Sequence, residues 1–338
     1  MRFRLLFEWK SDIGAEFPTG FRDMSVLSLS SGDLIADRRA DYARMLDEAG
    51  DHAAAADVME QAMALVPDWP AGLALLAAYR EHAGDVAAAI ATLEKLEGED
   101  DDDLFAASLK LAVLGAAEPP AHPPGRYVEA LFDSYADHFD AALTERLDYN
   151  APERLAALLE KSEGEARRFR LCVDLGCGTG LSGGAFYARV DRLEGFDLSA
   201  NMLAKAEEKA VYQHLAQADL LLAPEQSGLF SPELARHRAD LVVAADVLMY
   251  LGALESLMAN VAALIAPGGV FLFSVEDGGE AEAYTLLPSL RYAHACAYVE
   301  RLLSEAGFAL KRHERAALRK DAGEPVPGIL FLAVKRLP

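Results

Sequence analysis

The sequence predicts two architectures in one chain: an all-α helical-repeat region over 24–117, then an α/β domain over 126–338. The second should hold seven strands in a mostly parallel sheet with one antiparallel edge strand. Three observations lead there. An alanine-rich unit recurs in the first half, prolines interrupt the middle, and short apolar runs alternate with helical stretches in the second half.

The recurring unit is seen by superposition. "AGDHAAAADVMEQA", from Ala49, matches "AGDVAAAIATLEKL", from Ala83, at a shift of 34 residues. Gly50/Gly84 and Asp51/Asp85 coincide. This is the period of the tetratricopeptide repeat, a helix–turn–helix unit. Glycine tolerates positive φ at the turn, and alanines let paired helices approach closely. The tryptophan and tyrosine of that family's pattern are absent, so the likeness is partial. A third helix, roughly Asp103 to Leu114, caps the stack. Two repeats fall below the usual minimum of about three, so the stack should lean on a neighbouring domain or a second chain.

"GEDDDD", Gly98 to Asp103, is expected to be a solvated connection. "AAEPPAHPPG", Ala116 to Gly125, disfavours helix and marks a stiff linker, placed at 118–125. Residues 1–23 stay open between a native lead and an upstream extension before Met24.

Bulk properties narrow the partners. A formal net charge of −22 over 338 residues repels phosphate backbones and anionic lipid, so neither nucleic acid nor membrane is expected. Cys172, Cys177 and Cys296 have no paired spacing, so no disulfide framework and no metal site is expected, and the location expected is cytoplasmic.

After the linker, helical stretches are expected at Tyr127–Leu147 and Pro152–Ser162. Strands are expected at Phe169–Leu175, Leu193–Asp197, Tyr212–Ala218, Ala239–Asp246, Gly269–Val275, Phe308–Arg312 and Ile329–Lys335. The last connection, "RAALRKDAGEPVPG", carries no clear helix, so the final pair should be hairpin-like.

In such sheets ligands bind beyond the carboxyl ends of the strands. The first strand runs into "VDLGCGTGLSGG": Asp174, then Gly176, Gly178 and Gly180. A dinucleotide fingerprint needs glycine where Leu181 stands, and a phosphate loop needs a lysine that is missing. Asp197, ending the second strand in "LEGFDLSANMLAKA", can accept two bonds from vicinal ribose hydroxyls. Asp219, in "HLAQADL", can accept from an adenine amino group. Ala245 and Asp246 end the fourth strand. Duller readings stand beside these: Asp197 as a helix cap, Asp219 as a loop residue, Met202 as helix core.

The segments "VDLGCGTG", "GFDLS", "QADL" and "APGGVFLFS" resemble the class I S-adenosylmethionine-dependent methyltransferases over roughly 127–338, a Rossmann-like fold. The chain is similar, more narrowly, to bacterial methyltransferases with an N-terminal tetratricopeptide region, through "LFDSYADHFD", "ADVLMYLG" and "SLRYAHACAYVERLLSEAGF". The resemblance implies S-adenosylmethionine as cofactor and S-adenosylhomocysteine as product. It implies Gly176 and Gly178 against the methionine part, with Asp174 on the ammonium, Asp197 on the ribose and Asp219 on the adenine. Leu198 and Met202 would flank the ring; Gly180, Leu220 and Ala245 complete the set. Tyr135 would touch the cofactor carboxylate from a lid helix carrying His138 and Phe139.

For the methyl acceptor, "SLRYAHACAYVERLL" offers Arg291 as a carboxylate partner, Tyr292, and His294 as a base, with Asp246 nearby. The alternative is a surface arginine and a capping histidine. "RKDAGEPVPG", Arg319 to Gly328, reads as a rim loop or a plain surface connection. His214, His237 and His313 receive no role. The expected reaction is O- or N-methylation of a small molecule. Alternatives are a protein or peptide acceptor met by the repeats, a homodimer through them, an inactive scaffold, and a nicotinamide oxidoreductase, which Leu181 disfavours.

Overall fold

The structure is a computed structural model that describes residues 29–136, 149–321 and 323–337. His138 and Phe139 of the expected lid lie outside these residues. The chain divides into two compact units after Tyr135.

The first unit is all helical among its described residues: α1 (Leu34–Glu48), α2 (His52–Met63), α3 (Pro70–His82), α4 (Val86–Glu99), α5 (Ala107–Val113) and α6 (Gly125–Tyr135). The sequence repeat returns as repeated turn chemistry. Gly50 and Gly84 both adopt positive φ, +85° and +80°, with open space where a side chain would sit. The following aspartates then cap the next helix, Asp51 accepting from the Ala54 N–H and Asp85 from the Ala88 N–H. Alanines 36, 40, 43, 55, 56, 62, 71, 74 and 77 pack the interior. The acidic connection is not wholly solvated: Asp103 accepts from the Ala107 and Ser108 N–H groups at 2.5 and 3.2 Å and so starts α5.

The second unit begins with α7 (Ala151–Glu163) and continues β1 (Phe169–Leu175), α8 (Leu181–Phe186), β2 (Val190–Asp197), α9 (Ala200–Glu208), β3 (His214–Gln217), β4 (Ala239–Ala244), α10 (Glu255–Leu264) and β5 (Ile265–Asp277). Then follow β6 (Tyr284–Leu286), β7 (Tyr292–His294), α11 (Cys296–Glu305), β8 (Phe308–Asp321) and β9 (Glu324–Lys335). The sheet runs β3-β2-β1-β4-β5-β7-β6, with β9 also paired to β5 and β8 paired to β9. β1 to β5 are mutually parallel. Strand order therefore reverses between β1 and β4.

Both faces are covered, as alternation along the strands shows. Val173, Val242, Ala244, Phe271 and Phe273 face a core closed by α10 and α11. Cys172, Leu241, Val243, Val270 and Leu272 face the opposite core, closed by α7.

Two expectations need correction. The described sheet has nine strands, not seven, because the segment before α11 folds into the short β6–β7 pair. The antiparallel β9 lies between β5 and β8 and not at the edge. The supposed rim loop is the tip of that hairpin, turning at Gly323 with φ +84°. Arg319 thereby enters the interior. No helix among the described residues is long and apolar enough to cross a membrane.

Candidate functional site

The carboxyl end of β1 delivers Asp174, almost fully buried, at the mouth of the glycine turn. Its Oδ2 accepts from the Tyr212 hydroxyl at 2.7 Å. Its Oδ1 is buried without a hydrogen-bond partner. Burial pushes the carboxyl up to about 7; the Tyr212 bond pulls the other way, and nearby Asp197 adds to the rise. An acid left half-satisfied in low dielectric gains much from a cation.

The turn is bare partly for the protein's own packing. A Cβ on Gly176 would meet Val247 Cγ2 at 2.5 Å, and one on Gly183 would meet the Tyr212 hydroxyl at the same distance. Gly180 and Gly195 are likewise closed by the Tyr212 ring. Tyr212 thus braces the turn from within, accepting from the Gly183 N–H while it donates to Asp174. Sequence reading missed it as a site residue, since it stands well past the glycine motif.

Asp197 ends β2 with both oxygens engaged: Oδ2 accepts from the Gly178 N–H at 2.8 Å and Oδ1 from the Ser199 N–H at 2.9 Å. The carboxylate ties the glycine turn to the start of α9, while Ser199 supplies the actual cap by accepting from the Met202 N–H. Asp219 follows β3, half-buried, and its Oδ1 accepts from the Leu221 N–H. Leu198 is half-buried between Asp197 and α9. Leu220 and Ala245 are buried, and the Ala245 carbonyl faces the Tyr149 hydroxyl at 3.4 Å. Met202, on α9, has no exposed surface. Tyr135 closes α6 in the first unit.

The β4–β5 side is built differently. Asp246 takes left-handed backbone, φ +57°, and its N–H donates to Ser274 Oγ at 2.9 Å. Arg319 Nη1 reaches both Asp246 oxygens, at 2.5 and 2.6 Å, and Nη2 donates to Glu276. Arg291 Nε donates to the same Glu276 oxygen at 2.9 Å, and its Nη2 pairs with Asp321. The network is charge-rich and nearly dry, with Arg319 only 5% exposed. Burial raises the Asp246 carboxyl against the pull of Arg319, while Asp246 and Glu276 hold the Arg319 guanidinium charged in spite of its burial.

The expected acceptor residues are largely buried. Arg291 is occupied by Glu276 and Asp321. Tyr292 is fully buried and meets Tyr284 edge-on at 5.8 Å. His294 is fully buried; its Nε2–H is shared between the Leu251 and Gly252 carbonyls at 2.9 Å each, which fixes that nitrogen as the donor. Burial lowers its basicity, and the ring stacks on Tyr298. Through these bonds it holds the segment after β4. Two tyrosines not singled out lie near the strand ends. Tyr250 lies close enough to Arg291 and Arg319 to feel both charges. Tyr149 lies within electrostatic reach of Asp174 and Asp246 together, between the β1 and β4 ends. "LDYNAPERL" gave no signal for Tyr149 beyond a helix start.

A sequence profile described as a methyltransferase domain matches residues 145–313, half of the chain. The chain belongs to the S-adenosylmethionine-dependent methyltransferase family. This methyltransferase is 36% identical over 107 residues to trans-aconitate 2-methyltransferase of Paracidovorax citrulli, covering 31% of this chain and 38% of that one. It is 30% identical over 168 residues to malonyl-[acyl-carrier protein] O-methyltransferase of Enterobacter lignolyticus, covering 49% and 57%. The chain thus spans less than two thirds of either curated relative. Among solved structures, 1,6-didemethyltoxoflavin-N1-methyltransferase of Burkholderia thailandensis aligns with a TM-score of 0.49 at 18% identity, over 65% of this chain and 94% of that one.

Proposed function

We propose that the protein transfers the methyl group of S-adenosylmethionine to a small molecule, at an oxygen or a nitrogen. The observation that carries this reading is the unpartnered Asp174 Oδ1, buried at the end of β1 where the cofactor's ammonium would lie. Gly176 and Gly178 would run along the methionine part, Asp197 would take the ribose hydroxyls, and Asp219 would take the adenine amino group beside Leu198. When bound, the cofactor supplies an electrophilic methyl on a sulfonium. Held this way, the methyl carbon would be open to in-line displacement by an acceptor atom, with the neutral thioether as leaving group. The protein's part is to align the pair and keep water away.

With His294 interior, an acceptor that needs no base is favoured. A carboxylate, with an ordinary pKa of about 4, is already ionised at neutral pH. The names of these curated relatives, a trans-aconitate 2-methyltransferase and a malonyl-[acyl-carrier protein] O-methyltransferase, agree with carboxyl oxygen as the first atom to test. The Asp246–Arg319 pair would set the wall facing the acceptor. The experiment is a panel of carboxylic acids, phenols and amines scored by S-adenosylhomocysteine formation. Turnover confined to carboxylic acids supports the reading; turnover only of amines or peptides contradicts the acceptor, and no product with any class contradicts the activity.

The helical unit resembles tetratricopeptide repeats through its 34-residue period and paired Gly-Asp turns, and we assign it contact with a protein or a second copy. Leu34, Ile35, Tyr42 and Met45 of α1 are each more than half exposed, which suits such contact. Deleting only α1 to α5, with α6 and Tyr135 kept, should leave S-adenosylmethionine affinity in place.

A further inference from the structure

In the helical unit, three ligand-type side chains converge from three helices. Asp47 stands in the last turn of α1, His52 opens α2 and His82 closes α3. One oxygen, Asp47 Oδ1, lies 2.7 Å from His52 Nδ1 and 2.8 Å from His82 Nδ1. The two rings stand edge to face with centroids 5.2 Å apart. Burial pushes the Asp47 carboxyl up, but the bonds from His82 and His52 prevail and hold it below its ordinary value.

The fold does not require this triad. At the 34-residue shift, His52 corresponds to Val86, and His82 corresponds to Ala116. Asp47 corresponds to Glu81, which pairs with Lys110 at 3.1 Å. Asp47 and His52 flank the first Gly-Asp turn and His82 precedes the second, and the repeat itself does not call for two imidazoles around one carboxylate there. Beside them the Tyr79 hydroxyl is buried without a partner, near enough for Asp47 to raise its pKa.

We propose that Asp47, His52 and His82 form a divalent transition-metal site that takes Zn2+ through Nδ1 of each histidine and one carboxylate oxygen. Imidazole and carboxylate suit this ion, whose bonds of about 2.0–2.2 Å set neighbouring ligand atoms roughly 3.3 Å apart. The present spacing is that of hydrogen bonds, so the cation replaces the two Nδ1 protons and the atoms part by about half an ångström. Each imidazole then carries its proton on Nε2 and stays neutral. His52, 36% exposed, provides the entry path and leaves a fourth position to water. The ion would fasten α1, α2 and α3 across a core made largely of alanine.

The test is titration of the full-length, metal-stripped protein with Co2+ and then Zn2+. Cys296, Glu300 and His313 form a second group of ligand type, so Cys296→Ser serves as the control. The expected result is one saturable Co2+ species with tetrahedral absorption bands, displaced by Zn2+, and a raised Tm. His52→Gln and His82→Gln should each weaken binding by at least about tenfold, with normal circular dichroism, and Cys296→Ser should not. If either histidine variant misfolds, Asp47→Asn takes its place. No saturable Co2+ species in the wild type, or one that survives these changes and vanishes in Cys296→Ser, overturns the proposal.

Discussion

The β1–β3 strand ends and the β4–β5 strand ends lie in one sheet but treat their polar groups oppositely. On the first side an acid is left short of partners: Asp174 keeps one buried oxygen unpaired. On the second, Asp246, Glu276, Asp321, Arg291 and Arg319 satisfy one another. An unsatisfied buried acid is tolerable where a ligand completes it, whereas a closed network holds shape. One side therefore keeps a buried acceptor open, and the other is closed on itself.

The sharpest way to break this contrast is Arg319→Ala. It strands Asp246 as a buried charge and leaves Glu276 to Arg291 alone, at a cost of about 3–5 kcal/mol, to be measured by urea unfolding. Destabilisation under 1 kcal/mol would mean the network is not closed. His294→Ala should come next, costing about 2–4 kcal/mol through a cavity and a lost donor to two carbonyls. Turnover per folded molecule should hold in this variant; a large fall in kcat at unchanged stability would return His294 to the chemistry. Asp197→Asn should weaken S-adenosylmethionine binding by about 1.5–3 kcal/mol, roughly 10- to 150-fold, read by calorimetry. Equal affinity would remove Asp197 from the ribose. The smallest effect should be Gly184→Ala. That position is open, lies in α8 and has no positive φ, so alanine should add about 0.4–1 kcal/mol of stability. Gly183→Ala, one residue away, runs into the Tyr212 hydroxyl and should destabilise. Equal outcomes would show that Tyr212 does not brace the turn.

The same contrast explains what the sequence disclosed. Asp174, Gly176, Gly178 and Asp197 are marked by local chemistry: an apolar run, then an acid or a bare turn. The strand positions and helical repeats were legible for the same reason. Asp246 and Arg319 are 73 residues apart in sequence, and nothing near Arg319 says that β8 continues past Arg312 to carry it inward. Period-two alternation fails in "HERAALRKD" because the strand is half exposed along its length and shifts register near Leu318. Likewise, "RYAH" looks like a polar cluster, yet pairing of β7 with β5 and β6 buries Tyr292 and His294. Tertiary pairing decides burial there, and local pattern cannot.

Asp174 offers the most direct test. Its folded pKa of about 7 lies above the ordinary 3.8, so the unfolded chain releases this proton first as pH rises. The stability it contributes is full below about pH 4 and is lost by pH 7, a difference on the order of 4 kcal/mol. Asp174→Asn should therefore stabilise the ligand-free protein above pH 7. A bound ammonium favours the ionised acid, so cofactor affinity should rise as pH increases through 7. The deciding measurement is calorimetric titration of S-adenosylmethionine at pH 6 and pH 8 into wild type and Asp174→Asn. The account predicts tighter binding at the higher pH in the wild type, with weak and pH-flat binding in the variant. Undiminished affinity in Asp174→Asn would contradict it.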